Sequence, residues 1–360
     1  MIVPLFNKRK TIDGVKKLKR ITRSTVLILE TAESLGIKWE KINYTDLFKL
    51  SYQNEVKYFH AQVPSTTTEF AYYCCNNKRI SKNLLEQAGL SVSKGYLIKT
   101  DDSQEYRLSL FADLQKPVVV KPVDDFQGRN VYLNLKTAAE FLHAGQEIYD
   151  HYGQKKVDLL VEQMFFGDEY RILATREKIL SVIKRLPANV TGDGVSTIEA
   201  LINLKNHQPI RQKIGTYNLI EVDDQINTFL KNQQFDLQTI LPIQKTIFLR
   251  PHSSLDISLG GDTIDVTDQI HPSVAEIVQK IMNCVPGLAL TGIDYMTKDI
   301  QSQQTTDQYV VVEINSSPSL DWNEFPLQGP HRHIAFEFLK IMFPNLVNVE
   351  DKVVSGKTVE

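Results

Sequence analysis

The alternation of apolar and polar positions divides the chain into short strands and amphipathic helices. Between residues 24 and 36, Val26, Leu27, Leu29, Ala32 and Leu35 recur at helical spacing, and Gly36 ends the run. A strand-like piece follows near 41–44, and a helix over 81–88 carries Leu84, Leu85 and Ala88 on one face before Gly89. Residues 117–121 form a β-branched run that reads as a buried strand. A polar loop over 124–130 leads to a strand at 131–133 and an amphipathic helix at 137–152. Beyond it, the pattern predicts a strand at 159–164 and a hairpin from 169–174 and 179–185. A glycine turn at 191–194 feeds a helix over 197–204; a short helix near 226–231 and a strand at 245–250 follow. Ser273 and Glu276 have capping-box spacing after Pro272 and open a helix to Cys284. Residues 288–296 and 309–315 read as paired strands, and 331–343 as a closing helix before a loose polar tail. Strands and helices interleave without strict βα alternation, which predicts several α+β lobes.

Composition narrows the classes of function. A chain of 360 residues with 42% hydrophobic and 23% charged residues fills more than one core. Its net charge of −2 argues against broad electrostatic capture of nucleic acid or an anionic membrane. The one local excess, from Lys8 to Arg23, reads as a solvated face. No apolar stretch approaches the roughly 20 residues needed to span a bilayer, and the basic run at Lys8–Lys10 interrupts any signal-peptide pattern. Cys74, Cys75 and Cys284 form neither a metal-ligand spacing nor a disulfide framework, so a reducing cytoplasm is the expected compartment.

The sharpest chemistry lies in the run from Tyr309 to Asn315. Residues two apart on a strand share a face, so Glu313 and Asn315 project together while Val312 and Ile314 face the other way. A glutamate in so apolar a run needs a partner. Asp294 stands in a similar run, and pairing of the two strands would converge three oxygen donors, a set suited to a hard cation such as Mg²⁺. Pairing of Asp294 and Glu313 with lysine or arginine is the equal alternative. There is no GxxxxGK(S/T) loop and no GxGxxG after a strand. What remains for phosphate is Lys121 at the end of an apolar strand, followed by the glycine-containing loop.

Taken in order, these segments resemble the ATP-grasp superfamily. The series runs Ser81-Lys82, Val118 to Pro122, Gln127-Gly128-Arg129, Leu160 to Gln163, Gly292 to Asp294, and Glu313 to Pro318. Arg185 to Ala188 with Gly192 to Gly194, Thr197 to Ile202, and Gly260 to Asp268 with His271-Pro272 add a closer likeness. They resemble the ATP-grasp module of cyanophycin synthetases and bifunctional glutathione synthetases. The resemblance covers residues 77–343. It implies an α+β fold holding a nucleotide between two lobes, behind a short N-terminal α/β lobe. The expected divisions are 1–76 for that N-terminal lobe, 77–164 for the central lid lobe, 165–345 for the C-terminal lobe with the metal site, and 346–360 for the tail.

At matching positions the resemblance assigns Lys82 and Lys121 to nucleotide phosphates and Gln127, Gly128 and Arg129 to a mobile covering loop. Glu162, Gln163, Met164 and Phe165 would meet the adenine, and Glu169 the ribose hydroxyls. Asp294, Glu313 and Asn315 match Mg²⁺ (or Mn²⁺) ligands, and Arg185 and Arg250 would flank the transferred phosphate. The implied reaction is ATP-dependent joining of a carboxylate and an amine through an acyl-phosphate, on amino-acid or peptide substrates, with release of ADP and phosphate. A carboxylate–thiol ligase, and a nucleotide-binding protein without turnover, are the alternatives. Neither nucleic acid nor membrane is an expected partner, and a homodimer is left open.

Some positions depart from the pattern. Asp125, Phe126 and Asn130 stand where the family has glycine, asparagine and glycine, which restricts the loop backbone. Leu255-Asp256 replaces an alanine–asparagine pair, and Asp256 would favour an amino or cationic substrate. The C-terminal Mur-ligase-like domain of cyanophycin synthetases and the glutamate–cysteine ligase domain of the bifunctional enzymes have no counterpart here, so a stand-alone amino-acid or peptide ligase is expected. Arg332, at the start of the last helix, is a candidate for a substrate carboxylate.

Overall fold

In the computed structural model the described residues are 21–42, 45–123, 130–153, 155–213, 217–251 and 259–347. They form four antiparallel sheets with helices packed on their faces, an α+β architecture.

The first helix, Arg23–Ser34, is capped by Thr22, whose hydroxyl accepts from the Thr25 N–H. Its buried Ile28, Leu29 and Ala32 meet Phe48, Leu50 and Phe59 of a sheet ordered Lys38–Lys41, Leu47–Tyr52, Glu55–His60 and Val63–Pro64. Helix Ile334–Met342, from the far end of the chain, completes this core through Phe338, Leu339 and Met342. The N-terminal segment therefore has no separate core. It is joined to the rest by apolar burial across the whole length of the sequence.

A second sheet is ordered Gly95–Ile98, Leu159–Gln163, Val118–Pro122 and Tyr132–Leu135. Helices Gln104–Asp113 and Ala138–Tyr152 cover the face bearing Val118, Val120, Leu159 and Val161. Strand alternation then sends Lys121, Leu160 and Glu162 to the opposite face. That face looks toward the largest sheet.

The largest sheet is ordered Asp262–Asp265, Ile179–Leu186, Asp168–Thr175, Leu290–Thr297 and Tyr309–Asn315. One face packs Tyr170, Ile172, Val182, Ile293 and Tyr295 under helix Pro272–Cys284. The other face is apolar at one end, where Leu173, Leu180 and Leu290 join the N-terminal core, and charged at the other. Two short strands, Asn189–Thr191 and Thr246–Phe248, make a small appended unit with helices Ile198–Asn206 and Asp224–Asn232.

Several expectations shift by physical cause. Helix Lys78–Gln87 starts earlier than expected because Asn77 caps it, and its Leu85, with Ile80 and Leu84, packs on the largest sheet and not on the lid sheet. Cys74 and Cys75 lie buried on an unanticipated helix, Glu69–Asn76, on that same core. His271, not the Ser273–Glu276 pair, caps Pro272–Cys284: its ring accepts the Ser273 N–H at 3.2 Å. A bulge opposite Asp294 and Tyr295 turns Val312 outward to 41% exposure, so it does not share the Ile314 face. The closing helix starts at Ile334, not at residue 331. Among the described residues, no helix is long and apolar enough to cross a membrane.

Candidate active site

Three strands set the charged end of the large sheet. Arg171, Asp294 and Glu313 are register partners in one row, and Gly292 faces Asn315 in an adjacent row. Strand pairing brings Asp294 and Glu313 into register, and the alternative of cationic partners is met as well, with Asp294 paired to Arg171 and Arg185 and Glu313 to Lys78. With its amide oriented to suit both neighbours, Asn315 donates to Glu313 Oε1 at 3.1 Å and accepts from Arg171 Nη1 at 3.2 Å. Arg171 Nε lies 2.9 Å from Asp294 Oδ1, and Arg185 Nη2 donates to the same oxygen at 2.9 Å. Arg185 Nη2 also donates to Glu169.

Burial pushes the Glu313 carboxyl above the usual glutamate range; Lys78 opposes this, and Asp294 adds to it. Burial likewise raises Glu169, with Arg185 opposing and Asp294 adding. Burial lowers Arg171, although Asp294 works to hold its charge.

A second cluster joins the lid sheet to helix Lys78–Gln87. Lys82 Nζ donates to Glu162 Oε1 at 2.5 Å, and Lys121 Nζ lies 2.7 Å from Oε2. Burial works against the Glu162 charge, but Lys121 and Lys82 more than offset it and hold the carboxyl below its ordinary range. Lys121 is raised in spite of its burial, through Glu162 above all, with Glu313 and Asp294 adding. Lys78 Nζ sits 3.8 Å from Glu313 Oε2, one helical turn before Lys82. The cleft between the two clusters, lined by Lys78, Lys82, Lys121, Glu162, Val312 and Glu313, holds about 20 Å³.

Other expected residues lie elsewhere. Gln163 and Met164 continue from the lid strand through backbone bonds, Gln163 N–H to the Lys94 carbonyl at 2.8 Å and Met164 N–H to the Pro117 carbonyl at 2.9 Å. Phe165 follows, with Gly167 packed between its ring and the Thr297 backbone. Arg250 is not joined to this cluster by any contact among the described residues. Its guanidinium donates to Asp223 Oδ2 at 2.6 Å and to Gln225 Oε1 at 3.0 Å, beside a separate cavity of about 450 Å³. Arg332 is held by Asp265 and Asp268, both at 2.7 Å, which ties it to the edge of the large sheet. Gln127, Gly128, Arg129 and Asp256 lie outside the described residues.

Sequence reading missed Arg171 and Lys78. Arg171 follows Glu169 by two positions and so shares its strand face, the one signal that could have drawn attention to it.

Two α+β lobes facing each other across a cleft of lysines and strand-borne carboxylates define the ATP-grasp fold. The chain is homologous to cyanophycin synthetases and to bifunctional glutathione biosynthesis proteins. It is 30% identical over 327 residues to cyanophycin synthetase of a Synechocystis strain, covering 89% of this chain and 36% of that protein. With the bifunctional glutathione biosynthesis protein of Clostridium perfringens it shares 29% identity, over 94% of this chain and 42% of the relative. The crystal structure of a bifunctional glutathione synthetase from Pasteurella multocida superposes with a TM-score of 0.72 at 25% identity, over 91% of this chain and 45% of that one. The chain therefore spans less than half the length of these relatives. No family model matches it.

Proposed function

We propose that the protein is an ATP-dependent carboxylate–amine ligase that forms a peptide or amide bond between amino-acid or peptide substrates. The carrying observation is a lysine from each side of the cleft, Lys121 on the lid sheet and Lys82 on the helix packed against the large sheet, meeting on Glu162 beside the carboxylate–amide–arginine cluster. Lys82 and Lys121 would neutralise phosphate charge once released from Glu162. The cleft has room for about one water molecule, so the lobes must part to admit a nucleotide. Gln163, Met164 and Phe165 would line the adenine, with Glu169 reaching the ribose. Gln127, Gly128 and Arg129 would complete the phosphate contacts.

The donor set fits a hard divalent cation. Asp294, Glu313 and Asn315 offer only oxygen, and among the described residues no cluster of three or more His, Cys, Asp or Glu competes with them. Bound there, Mg²⁺ or Mn²⁺ would neutralise phosphoryl charge. The substrate carboxylate attacks the γ-phosphorus, ADP leaves, and the resulting acyl-phosphate is attacked by the amine with loss of phosphate. Arg185, which donates to Glu169 and Asp294, would stabilise the charge that develops on the transferred group. Arg250 would act in this step only after exchanging its contact with Asp223.

A nucleotide-binding protein without turnover has one observation in its favour: two arginines already neutralise Asp294. A pooled amino-acid and dipeptide screen, read by mass spectrometry for condensed product and by ADP release, separates the readings. Condensed product with ADP formed only when acid and amine are both present supports the ligase. ATP binding without ADP in any mixture supports the alternative.

A further inference from the structure

The Arg171 guanidinium touches two of the three oxygen donors. Its Nε lies 2.9 Å from Asp294 Oδ1, an ion pair without hydrogen-bond geometry, and its Nη1 donates to the Asn315 carbonyl, while the Asn315 amide holds Glu313 Oε1. Gly292 makes this reach feasible. A Cβ there would fall 2.8 Å from Arg171 Nη1 and 3.4 Å from its Cδ, and 2.7 Å from Pro318 Cβ. The glycine is the register partner of Asn315, so the missing side chain lets the guanidinium cross from one row of the sheet to the next. Both arginine contacts on Asp294 fall on Oδ1.

We infer that Arg171 is the positioning residue of the cation site: it fixes Asp294 directly, and Glu313 through Asn315, in one orientation. A planar fork does this where an ammonium does not, because two of its nitrogens engage two different residues at once. The inference rests on the ligase reading above for the cation itself.

The test uses the full chain, Mn²⁺ titrated by electron paramagnetic resonance in the presence of a non-hydrolysable ATP analogue, and analogue affinity measured separately in EDTA. Loss of a group that orients metal ligands weakens metal binding ~10- to 100-fold. Arg171→Met is expected to weaken Mn²⁺ by that factor and leave the metal-free analogue affinity unchanged. Arg171→Lys keeps the buried charge but loses the span, and its Mn²⁺ affinity should fall between the two. Wild-type Mn²⁺ affinity in Arg171→Met overturns the inference, as does an equal loss of metal-free analogue binding, which would mark a merely structural role. Should the methionine variant fail to fold, the lysine variant decides, since wild-type affinity there overturns the bridging role. Failure of the ligase reading looks different. Wild-type protein that takes up no Mn²⁺ with the analogue, or Asp294→Asn that binds it unimpaired, removes the cation site and this inference with it.

Discussion

Glu162, buried, and Asp294, partly buried, are carboxylates that each face two cations, yet they are built differently. Glu162 gives one oxygen to each lysine. Asp294 gives the same oxygen to both arginines. Lysines are mobile point charges on long stems, whereas guanidinium groups are rigid forks. The first arrangement is saturated and can be undone by a competing anion that draws the lysines away. The second is fixed, with both guanidinium contacts on one carboxylate oxygen. The difference separates a cluster suited to exchange its partner from one suited to hold its shape.

Replacing Asp294 should break the comparison most severely. On the proposed ligase reading Asp294→Asn would remove a cation ligand, and condensation should then fall about 10²- to 10³-fold. Product formation by mass spectrometry under saturating substrates measures it.

Glu162→Gln leaves two buried lysines without their counter-charge and should cost about 3 kcal/mol of stability in nucleotide-free protein. Because the folded-state pKa of Glu162 lies below its unfolded value, its stabilisation is present above the ordinary carboxylate range and is lost as pH falls through the lowered pKa. Denaturant titrations of wild type and Glu162→Gln should therefore differ at neutral pH and converge in acid. A saturating ATP analogue should narrow the neutral-pH gap, since its phosphates replace the missing charge. A gap unaffected by the analogue would contradict partner exchange.

Lys82→Met should raise the apparent KM for ATP roughly tenfold, the size of one lost charged hydrogen bond, with a smaller change in kcat. Steady-state kinetics at fixed Mg²⁺ reads the split.

The smallest effect belongs to Asp113, a carboxylate that also serves two partners, Lys94 and Tyr96, but in full solvent. Asp113→Asn should leave the melting temperature unchanged, which would tie the behaviour of Glu162 to burial rather than to partner count.

Much of this was legible in the chain. The strand at 309–315 and its partner at 290–297 followed from apolar runs, and the pairing that joins Asp294 to Glu313 is the one the sequence pattern called for. Lys121 and Glu162 sit on neighbouring strands with alternation that exposes both to the cleft. Other features were not legible. The outward turn of Val312 depends on a bulge, a mismatch between two strands that neither shows alone. The separation of Arg250 from the cluster depends on Asp223, 27 residues away in sequence. Arg332 looked free at a helix start, and its capture depends on the edge strand that carries Asp265.

The sequence by itself determined which faces are apolar and which chemical groups each strand carries, because alternation and periodicity are local properties of a polypeptide. It also carried the ordered motifs that mark an ATP-grasp chain. Only the tertiary structure decided which charges neutralise which. Electrostatic pairing depends on distances across strands and lobes, and burial sets how strongly each pair is felt. That is why Arg171, unremarkable in the chain, stands at the centre of the site once Gly292 lets it cross the sheet.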